Sequence, residues 1–515
     1  MLYNIFLAIY VLGTVVGLWF VFKKAGVAPW KALVPVYNIV VWVRLCGKSW
    51  RWYIYMLVPA VNVFCFLLLV QETARVFRRY SFWEQLLAAL VPFVYLPWLG
   101  LSGKTAYVDP KVERPSKVSE GRDWLDAIVF ALIAAVIIRG FVFELYQIPS
   151  SSMEKSMLVG DRLMVSKMAY GPRVIMTPLS LPLMHNTVPL IGCKSYLKWP
   201  QLPYHRFPGY TKVKRYDAVV FNFPAGDTIL TGFADGKYTY YQAIADLGRE
   251  AVWSGNATVD FGYGPLPVGH PEVRPLDKRE NYIKRCIGLP GETLEIRDHV
   301  VYIDGKAIET PAEAQTTYAV AFDPIQTRPQ VPLDELGVSY EDIAGGLQTA
   351  EHVGGVNYMV LPLTVPMARR LEQRYDVLGV KAVDSPTDPM LYPNAEGTPQ
   401  SVDNYGPVHI PAKGEVLKLT LKNLPMYKRV IEAYEGNSIE LKDSVIYING
   451  QATSEYTVRQ NYYWMMGDNR HHSQDSRYWG YVPEDHIAGK AKVILWSWDK
   501  DHKKMRWGRL FKGRF

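Results

Sequence analysis

Gly291-Glu-Thr-Leu-Glu-Ile-Arg-Asp-His-Val-Val-Tyr-Ile-Asp-Gly305 reads as two short strands around a tight turn, closed by a second turn at Asp304-Gly305. Strand-type residues (Thr293, Leu294, Ile296, Val300, Val301, Tyr302, Ile303) fill two short runs, and Asp-Gly tolerates the positive φ that a two-residue hairpin demands. The stretch returns as Gly436-Asn-Ser-Ile-Glu-Leu-Lys-Asp-Ser-Val-Ile-Tyr-Ile-Asn-Gly450, with Asn449-Gly450 at the same place. A Lys-Arg pair precedes each copy, Lys284-Arg285 and Lys428-Arg429. The match over the whole stretch favours a duplication over a recurring hairpin.

Working outward, the same texture holds from residue 144 onward. Asp217-Ala-Val-Val-Phe-Asn-Phe223 and Lys490-Ala-Lys-Val-Ile-Leu-Trp496 are further strand-like runs punctuated by Gly and Pro. The expected fold class is a mostly β soluble catalytic domain, antiparallel with insertions, anchored by N-terminal transmembrane α-helices. Five segments are expected: a multi-span membrane region, 1–124; an anchor helix, 125–143; a first part of the catalytic β domain, 144–305, with an insertion at 174–214; an inserted accessory subdomain, 306–427; and a second catalytic part, 428–515. The insertion 174–214 carries Ile175, Leu179, Leu181, Trp199 and Tyr204 among basic residues. It could dip into lipid headgroups or pack on the β core.

The chain has 515 residues, 13% aromatic and 21% charged, with a net charge of +8. Its basic residues are scattered rather than striped, which points to a membrane surface and away from nucleic acid. Hydropathy marks spans near Phe6–Phe22, Tyr53–Val70, Leu86–Leu101 and Ile128–Phe143, each slightly shorter than the ~20 residues that cross a bilayer comfortably. Lysines and arginines crowd the loops 23–51 and 102–124. Placing both loops in the cytoplasm puts everything after Phe143 outside, although Arg75, Arg78 and Arg79 argue mildly the other way. The cysteines Cys46, Cys65, Cys193 and Cys286 form no CxxC or metal-ligand spacing; a pairing of Cys193 with Cys286 stays open.

Ser152 follows closely on the last apolar stretch, in Gln147-Ile-Pro-Ser-Ser-Ser-Met153, and Lys284 lies in Tyr282-Ile-Lys-Arg285. A serine hydroxyl needs a base within hydrogen-bond reach to act as a nucleophile. None of the ten histidines sits in a triad-like setting. A lysine with an ordinary pKa near 10.4 is almost wholly protonated at neutral pH. Burial among Tyr282, Ile283 and Cys286 would lower that pKa to the range a general base requires.

Pro149-Ser-Ser-Ser-Met153, Gly160-Asp-Arg-Leu163, Arg215-Tyr-Asp-Ala-Val-Val-Phe221, Tyr282-Ile-Lys-Arg-Cys-Ile-Gly-Leu-Pro-Gly291 and Gly467-Asp-Asn-Arg-His-His-Ser-Gln-Asp-Ser-Arg477 together resemble the ordered boxes of bacterial type I signal peptidases. They occur in family order across 144–497, and five together are far more specific than any one. The resemblance implies a membrane-bound serine endopeptidase that cleaves signal peptides after small residues (Ala-x-Ala type). Ser152 would be the nucleophile and Lys284 the general base. Ser150, with the Ser152 N–H, would form the oxyanion hole; Ser473 would orient the lysine, and Asp475 with Arg477 would support that loop. Tyr146, Ile148, Leu163, Tyr282 and Ile283 would line the substrate pockets.

The resemblance further implies no cofactor or metal. Its partners would be secreted preproteins, the lipid bilayer and the secretion translocon, with no nucleic acid. The place would be the bacterial inner (cytoplasmic) membrane, multi-pass, with the catalytic domain on the outer, periplasmic face. Two positions depart from the family pattern. Ser151 stands where a glycine is usual, and Lys155-Ser156 replaces a proline-threonine. Two other readings stand beside this one. Ser152-Met-Glu-Lys155 fits the SxxK of penicillin-binding acyl transferases, without their later KTG element. A non-catalytic membrane scaffold could also keep the fold.

Overall fold

The structure is a computed structural model. It describes residues 2–513 apart from 58–60, 111, 113–130, 132–133, 182–183, 185, 187, 189–192, 225–227, 234–237, 239, 261–263, 323–337, 339–350, 354–355, 375, 394–399 and 500–501. Two compact units emerge, Met1–Gly140 with Ile175–Pro203, and Phe141–Val174 with Tyr204–Phe515. The stretch Ile175–Pro203, most of the insertion read from sequence, thus groups with the N-terminal helices.

In the first unit the helices are α1 (Leu2–Lys24), α2 (Tyr37–Leu45), α3 (Arg51–Leu57), α4 (Val61–Val76), α5 (Phe82–Leu90) and α6 (Pro92–Leu101). The core gathers Leu18, Val21, Phe22, Trp42, Leu69, Val70 and Leu96. α1 and α6 approach closely at Gly17, where an added Cβ would meet the Leu96 Cβ at 2.6 Å. The expected spans meet this unit unevenly. Phe6–Phe22 falls within α1, whereas Tyr53–Val70 divides between α3 and α4, and Leu86–Leu101 between α5 and α6. Pro92 has no N–H to continue α5, so the chain breaks there and the pair Trp83–Ala89 and Pro92–Leu101 is bent by 119°. That bent pair has the length and composition of a span; among the described residues no single helix is long and apolar enough to cross a membrane. The fourth expected span, Ile128–Phe143, falls largely outside the described residues; its end is a π turn, Ile138–Val142, and Phe143 already belongs to a strand.

The second unit is mostly β, as expected. Its main sheet contains β1 (Phe143–Gln147), β2 (Asp161–Ser166), β3 (Ala218–Asn222), β4 (Asn281–Gly288), β5 (Tyr462–Met466), β6 (Val482–Pro483), β7 (Ile487–Asp499) and β8 (Lys504–Met505). The order is β1-β2-β7-β3-β4-β5-β6, with β8 beside β7, and the pairings are antiparallel. β3 is central and buried along its whole length, which is why it reads as an unbroken Ala-Val-Val-Phe run. Its alternate residues feed two cores. Val219 and Phe221 pack with Cys286, Met465, Trp479 and Ile487, while Ala218 and Val220 pack with Ile148, Met153, Leu163 and Ile494.

Both copies of the repeated stretch fold as the hairpins read from them. Thr293–Arg297, Val300–Ile303 and Lys306–Ala307 form one ladder, and Ile439–Lys442, Val445–Ile448 and Gln451–Ala452 form the other. Asp304 and Gly305 have φ of 49° and 76°, and Asn449 and Gly450 have 52° and 80°. The Asp304 side chain accepts from the Thr293 N–H as that of Asn449 does from the Ser438 N–H, at 2.9 and 3.0 Å. What precedes them differs: Lys284-Arg285 lies in β4, Lys428-Arg429 at the end of a helix, Leu424–Arg429. Within 306–427, strands Gln315–Phe322, Glu351–Val353, Val356–Thr364 and Val377–Ala382 make a separate four-stranded sheet under the helix Val365–Glu372, with its own core.

Candidate active site

β1 ends at Gln147, and Ile148 is stitched to the start of β2 by the bonds Ile148 N to Asp161 O (2.9 Å) and Gly160 N to Ile148 O (3.1 Å). Pro149 then turns the chain into a single 3-10 turn, Ser151–Met153. Met153 is fully buried and pins the turn, leaving Ser152 at the surface of a cleft. Ser150 Oγ lies 3.5 Å from Ser152 Oγ. Ser151, where the family usually has glycine, takes no positive φ, so the backbone here makes no demand for one. Lys155 does: its φ is 67°, which a proline ring cannot adopt. The exchange of proline for lysine therefore goes with a differently shaped turn. Ser156 next to it supplies its hydroxyl to Asp468, at 2.5 Å.

Lys284 enters from β4, directly beside β3 in register with Val219. Only 4% of the residue is exposed. Its Nζ is 2.8 Å from Ser152 Oγ and 3.1 Å from the Ile283 carbonyl. Burial lowers the amine's pKa from 10.5 to about 8, with Asp475 and Asp468 pulling the other way. Both carboxylates already have strong partners. Arg285 holds Asp468 through Nε at 2.7 Å and Nη2 at 2.5 Å, and Arg477 holds Asp475 through Nε at 2.9 Å and Nη2 at 2.8 Å. Burial would raise the Asp475 carboxyl, but Arg477 holds it below the usual range. A 2.8 Å contact between a dry amine and a hydroxyl can carry a proton either way, as base catalysis requires.

The loop Gly467–Arg477 closes the site from the far side. The Asn469 N–H donates to the Ser152 carbonyl at 3.1 Å and its Nδ2 to that of Ser151 at 3.4 Å. Gly467 lies so close that a Cβ there would stand 2.1 Å from Ser473 Oγ and 2.6 Å from the Ser152 carbonyl oxygen. Asp475 caps the helix Ser476–Trp479 and accepts from the Gly467 N–H at 2.9 Å. Arg477 also donates to the Arg470 carbonyl, at 2.6 Å. The structure does not bring Ser473 onto the lysine amine. Its Oγ is buried and has no hydrogen-bond partner among the described residues, and the Ile283 carbonyl takes the place expected for it. The 306–427 region reaches the same loop through Gln315, whose N–H donates to the Asp468 carbonyl at 2.7 Å and whose carbonyl accepts from the Arg470 N–H at 2.9 Å.

The cleft has a volume of about 1250 Å³, and Tyr146, Ile148, Leu163, Tyr282 and Ile283 all line it with the two catalytic candidates. β5 pairs with β4 only from Arg285 onward, so over Asn281–Lys284 no strand lies on that side of β4 among the described residues. Lys155, the rival base, is ion-paired to Glu154 at 3.4 Å. Lys428 is not among the residues of the cleft.

Sequence reading missed three participants. Gly467 acts through its backbone and Asn469 through its N–H and its side-chain amide, contacts that leave no compositional mark, although both lie inside a box already noticed. The third is the segment between β3 and β4, which supplies a wall of the cleft through Phe233, Gln242 and Leu266. No local pattern announced it: that Phe221 and Tyr282 are paired neighbours with a long stretch of chain between them is seen only in the folded sheet.

Among the described residues one group, His299, Asp403 and His471, has the donors a metal ion needs. Asp403 Oδ1 lies 2.8 Å from His299 Nδ1 and 2.7 Å from His471 Nε2, and Oδ2 accepts from the Ser385 N–H at 2.8 Å. The Thr317 N–H donates to His471 Nδ1 at 3.3 Å, which leaves that ring's proton on Nε2, facing the carboxylate. Asp384 lies 3.0 Å from the other nitrogen of His299. The Asp403 carboxylate beside it raises the His299 pKa against the effect of burial. The cluster closes as ion pairs and hydrogen bonds, tying the first repeated hairpin to the catalytic loop.

A serine and a desolvated lysine at hydrogen-bond distance, on an antiparallel β scaffold, are the machinery of a serine–lysine hydrolase. A family model described as signal peptidase, peptidase S26, matches residues 121–341 and 451–496, more than half of the chain, and the chain belongs to that family. It is thus a peptidase that cleaves signal peptides. A second model, of a family of unknown function, matches residues 30–110 in the helical unit. Among curated proteins, signal peptidase I of Haemophilus influenzae is 25% identical over 414 residues, 80% of each chain. Signal peptidase I of Buchnera aphidicola is 22% identical over 72% of this chain and 73% of its own. That of Aquifex aeolicus is 56% identical over a stretch of 43 residues, 8% of this chain and 17% of its own.

Proposed function

We propose that Ser152 is the nucleophile and Lys284 the general base, acting on preproteins at the outer face of a bacterial inner membrane. The neutral amine takes the Ser152 proton as Oγ attacks the scissile carbonyl. It returns that proton to the departing amine as the C–N bond breaks, leaving an acyl-enzyme. Lys284 then deprotonates the water that releases the signal peptide. Ser150 Oγ and the Ser152 N–H serve the developing oxyanion, an effect of about 3 kcal/mol per donor. Ser473, buried beside Gly467, turns its hydroxyl to the amine only in the substrate complex, as a further partner beside the Ile283 carbonyl. Asp475 and Arg477 hold the loop.

The substrate adds as an extended strand along the open side of Asn281–Lys284, with small side chains at the first and third positions before the cut facing Ile148, Leu163 and Ile283. Shallow apolar pockets discriminate by about 1–3 kcal/mol per methylene, so large residues are rejected by steric closure. The helical unit anchors the enzyme in the bilayer, through several passes, near the translocon that delivers preproteins. The 2.8 Å approach of a dry Lys284 amine to Ser152 Oγ supports this reading above all. The test is cleavage of a model preprotein in detergent micelles, with product N-termini identified. Wild type should cut after Ala-x-Ala and Ser152→Ala, still folded, should not; cleavage by Ser152→Ala would refute the assignment.

A further inference from the structure

β3 and β4 are adjacent antiparallel strands, paired from Ala218↔Arg285 to Asn222↔Asn281. Such neighbours need a connection of only about 2–5 residues. Here the chain makes a long excursion, residues 223–280, which carries helices Tyr240–Leu247 and Arg249–Ser254. It has a hydrophobic core of its own, built on Leu230, Tyr238, Ala243, Val252 and Val268. An excursion with a separate core adds nothing that the closure of the hairpin requires. Its position is informative: it leaves from the end of β3 and returns at the start of β4, where Asn281 and Tyr282 border the cleft, and Phe233 and Leu266 face the same cavity as Ser152 and Lys284. Met390, from the accessory region, packs against the excursion's core and lines that cavity too. Below them Tyr282 stacks on Phe223, ring centres 4.9 Å apart, and meets Trp479 edge-on at 5.4 Å.

We propose that Phe233, Leu266 and Met390 form a second, apolar subsite, continuous with the catalytic cleft, that takes a bulky aliphatic or aromatic side chain of the peptide away from the cut. This rests on the catalytic reading above and extends it. Asn281 lies three residues before Lys284 on an extended strand, about 10 Å, so the side chain belongs to a residue about three to five positions from the scissile bond, the small third residue before the cut excepted. The pockets beside Ser152 accept only small groups, and the cavity of about 1250 Å³ exceeds the volume typical even of drug-sized ligand sites. The subsite gives the enzyme a selectivity that the small-residue rule lacks.

The test uses the full chain in detergent micelles and peptides that share one Ala-x-Ala cut, with Leu or Asp at the fourth or fifth position before the cut or at the third, fourth or fifth after it. At one of these positions wild type should show kcat/KM for Leu at least about tenfold above that for Asp. Leu266 is 41% exposed, so Leu266→Arg leaves the fold intact; it should reverse the order at that position, and Met390→Arg should do the same. The ratio cancels any general loss of activity. Wild-type indifference at all five positions, or an unchanged ratio in both variants, overturns the proposal while leaving the catalytic assignment standing. Failure to cleave any peptide overturns both.

Discussion

Replacing Lys284 by methionine should destroy activity and at the same time stabilise the protein at neutral pH. The lysine has a folded-state pKa of about 8 against an ordinary value of 10.5. A base whose pKa falls on folding costs stability wherever the unfolded chain holds the proton more tightly. That cost is full below about pH 8, shrinks as pH rises from 8 toward 10.5, and is gone above 10.5. Its size follows from the gap, about 3 kcal/mol. Methionine has a similar length and no charge, so Lys284→Met recovers this amount. Leaving the Ile283 carbonyl without its donor takes back about 1 kcal/mol, for a net gain of about 2 kcal/mol at pH 7. Thermal unfolding of the detergent-solubilised protein, followed from pH 6 to 11, reads it as a midpoint raised by a few degrees at pH 7, meeting wild type at about pH 10 and lying below it by about 1 kcal/mol at pH 11. The same pKa fixes the rate profile: with a midpoint near 8 about one lysine in ten is neutral at pH 7, some 300-fold more than for an ordinary lysine. Wild-type kcat/KM should rise with unit slope to a bend near 8. A variant no more stable than wild type at pH 7, or a limb that bends only near 10, would refute the idea that dryness makes this amine a base.

Gly467→Ala forces a methyl against the Ser152 carbonyl and Ser473, so kcat should fall by about a hundredfold or more, and peptide kinetics would show it. Arg477→Ala strands the Asp475 carboxylate in a dry site; the expected loss is about 3–5 kcal/mol of stability, seen in denaturant unfolding. Lys428→Ala should cleave at the wild-type rate; inactivity of that variant alone would move the base to the second copy.

The β domain was legible because its signals are local. Asp304-Gly305 and Asn449-Gly450 demand positive φ, and both hairpins follow from them. The catalytic pair was legible as two sequence patterns, but the distance between Ser152 and Lys284 depends on β1, β3 and β4 lying in one sheet, which no local pattern encodes. Ser473 shows the limit of position matching: its place in the loop could be read, its lack of a hydrogen-bond partner among the described residues could not. In the helical unit hydropathy marked the apolar runs but not their breaks, because a proline such as Pro92 interrupts a helix without altering mean hydropathy.

The long excursion between β3 and β4 leaves from Asn222 and returns at Asn281, residues that face each other across one rung of the ladder. Because its two ends are neighbours, the excursion behaves as a cassette: it could be trimmed to a tight turn, or exchanged for another, without shifting the strands that align Ser152 and Lys284. Chemistry and selectivity can then diverge at separate rates within one gene, the first constrained by the sheet, the second free to be regrafted at its rim.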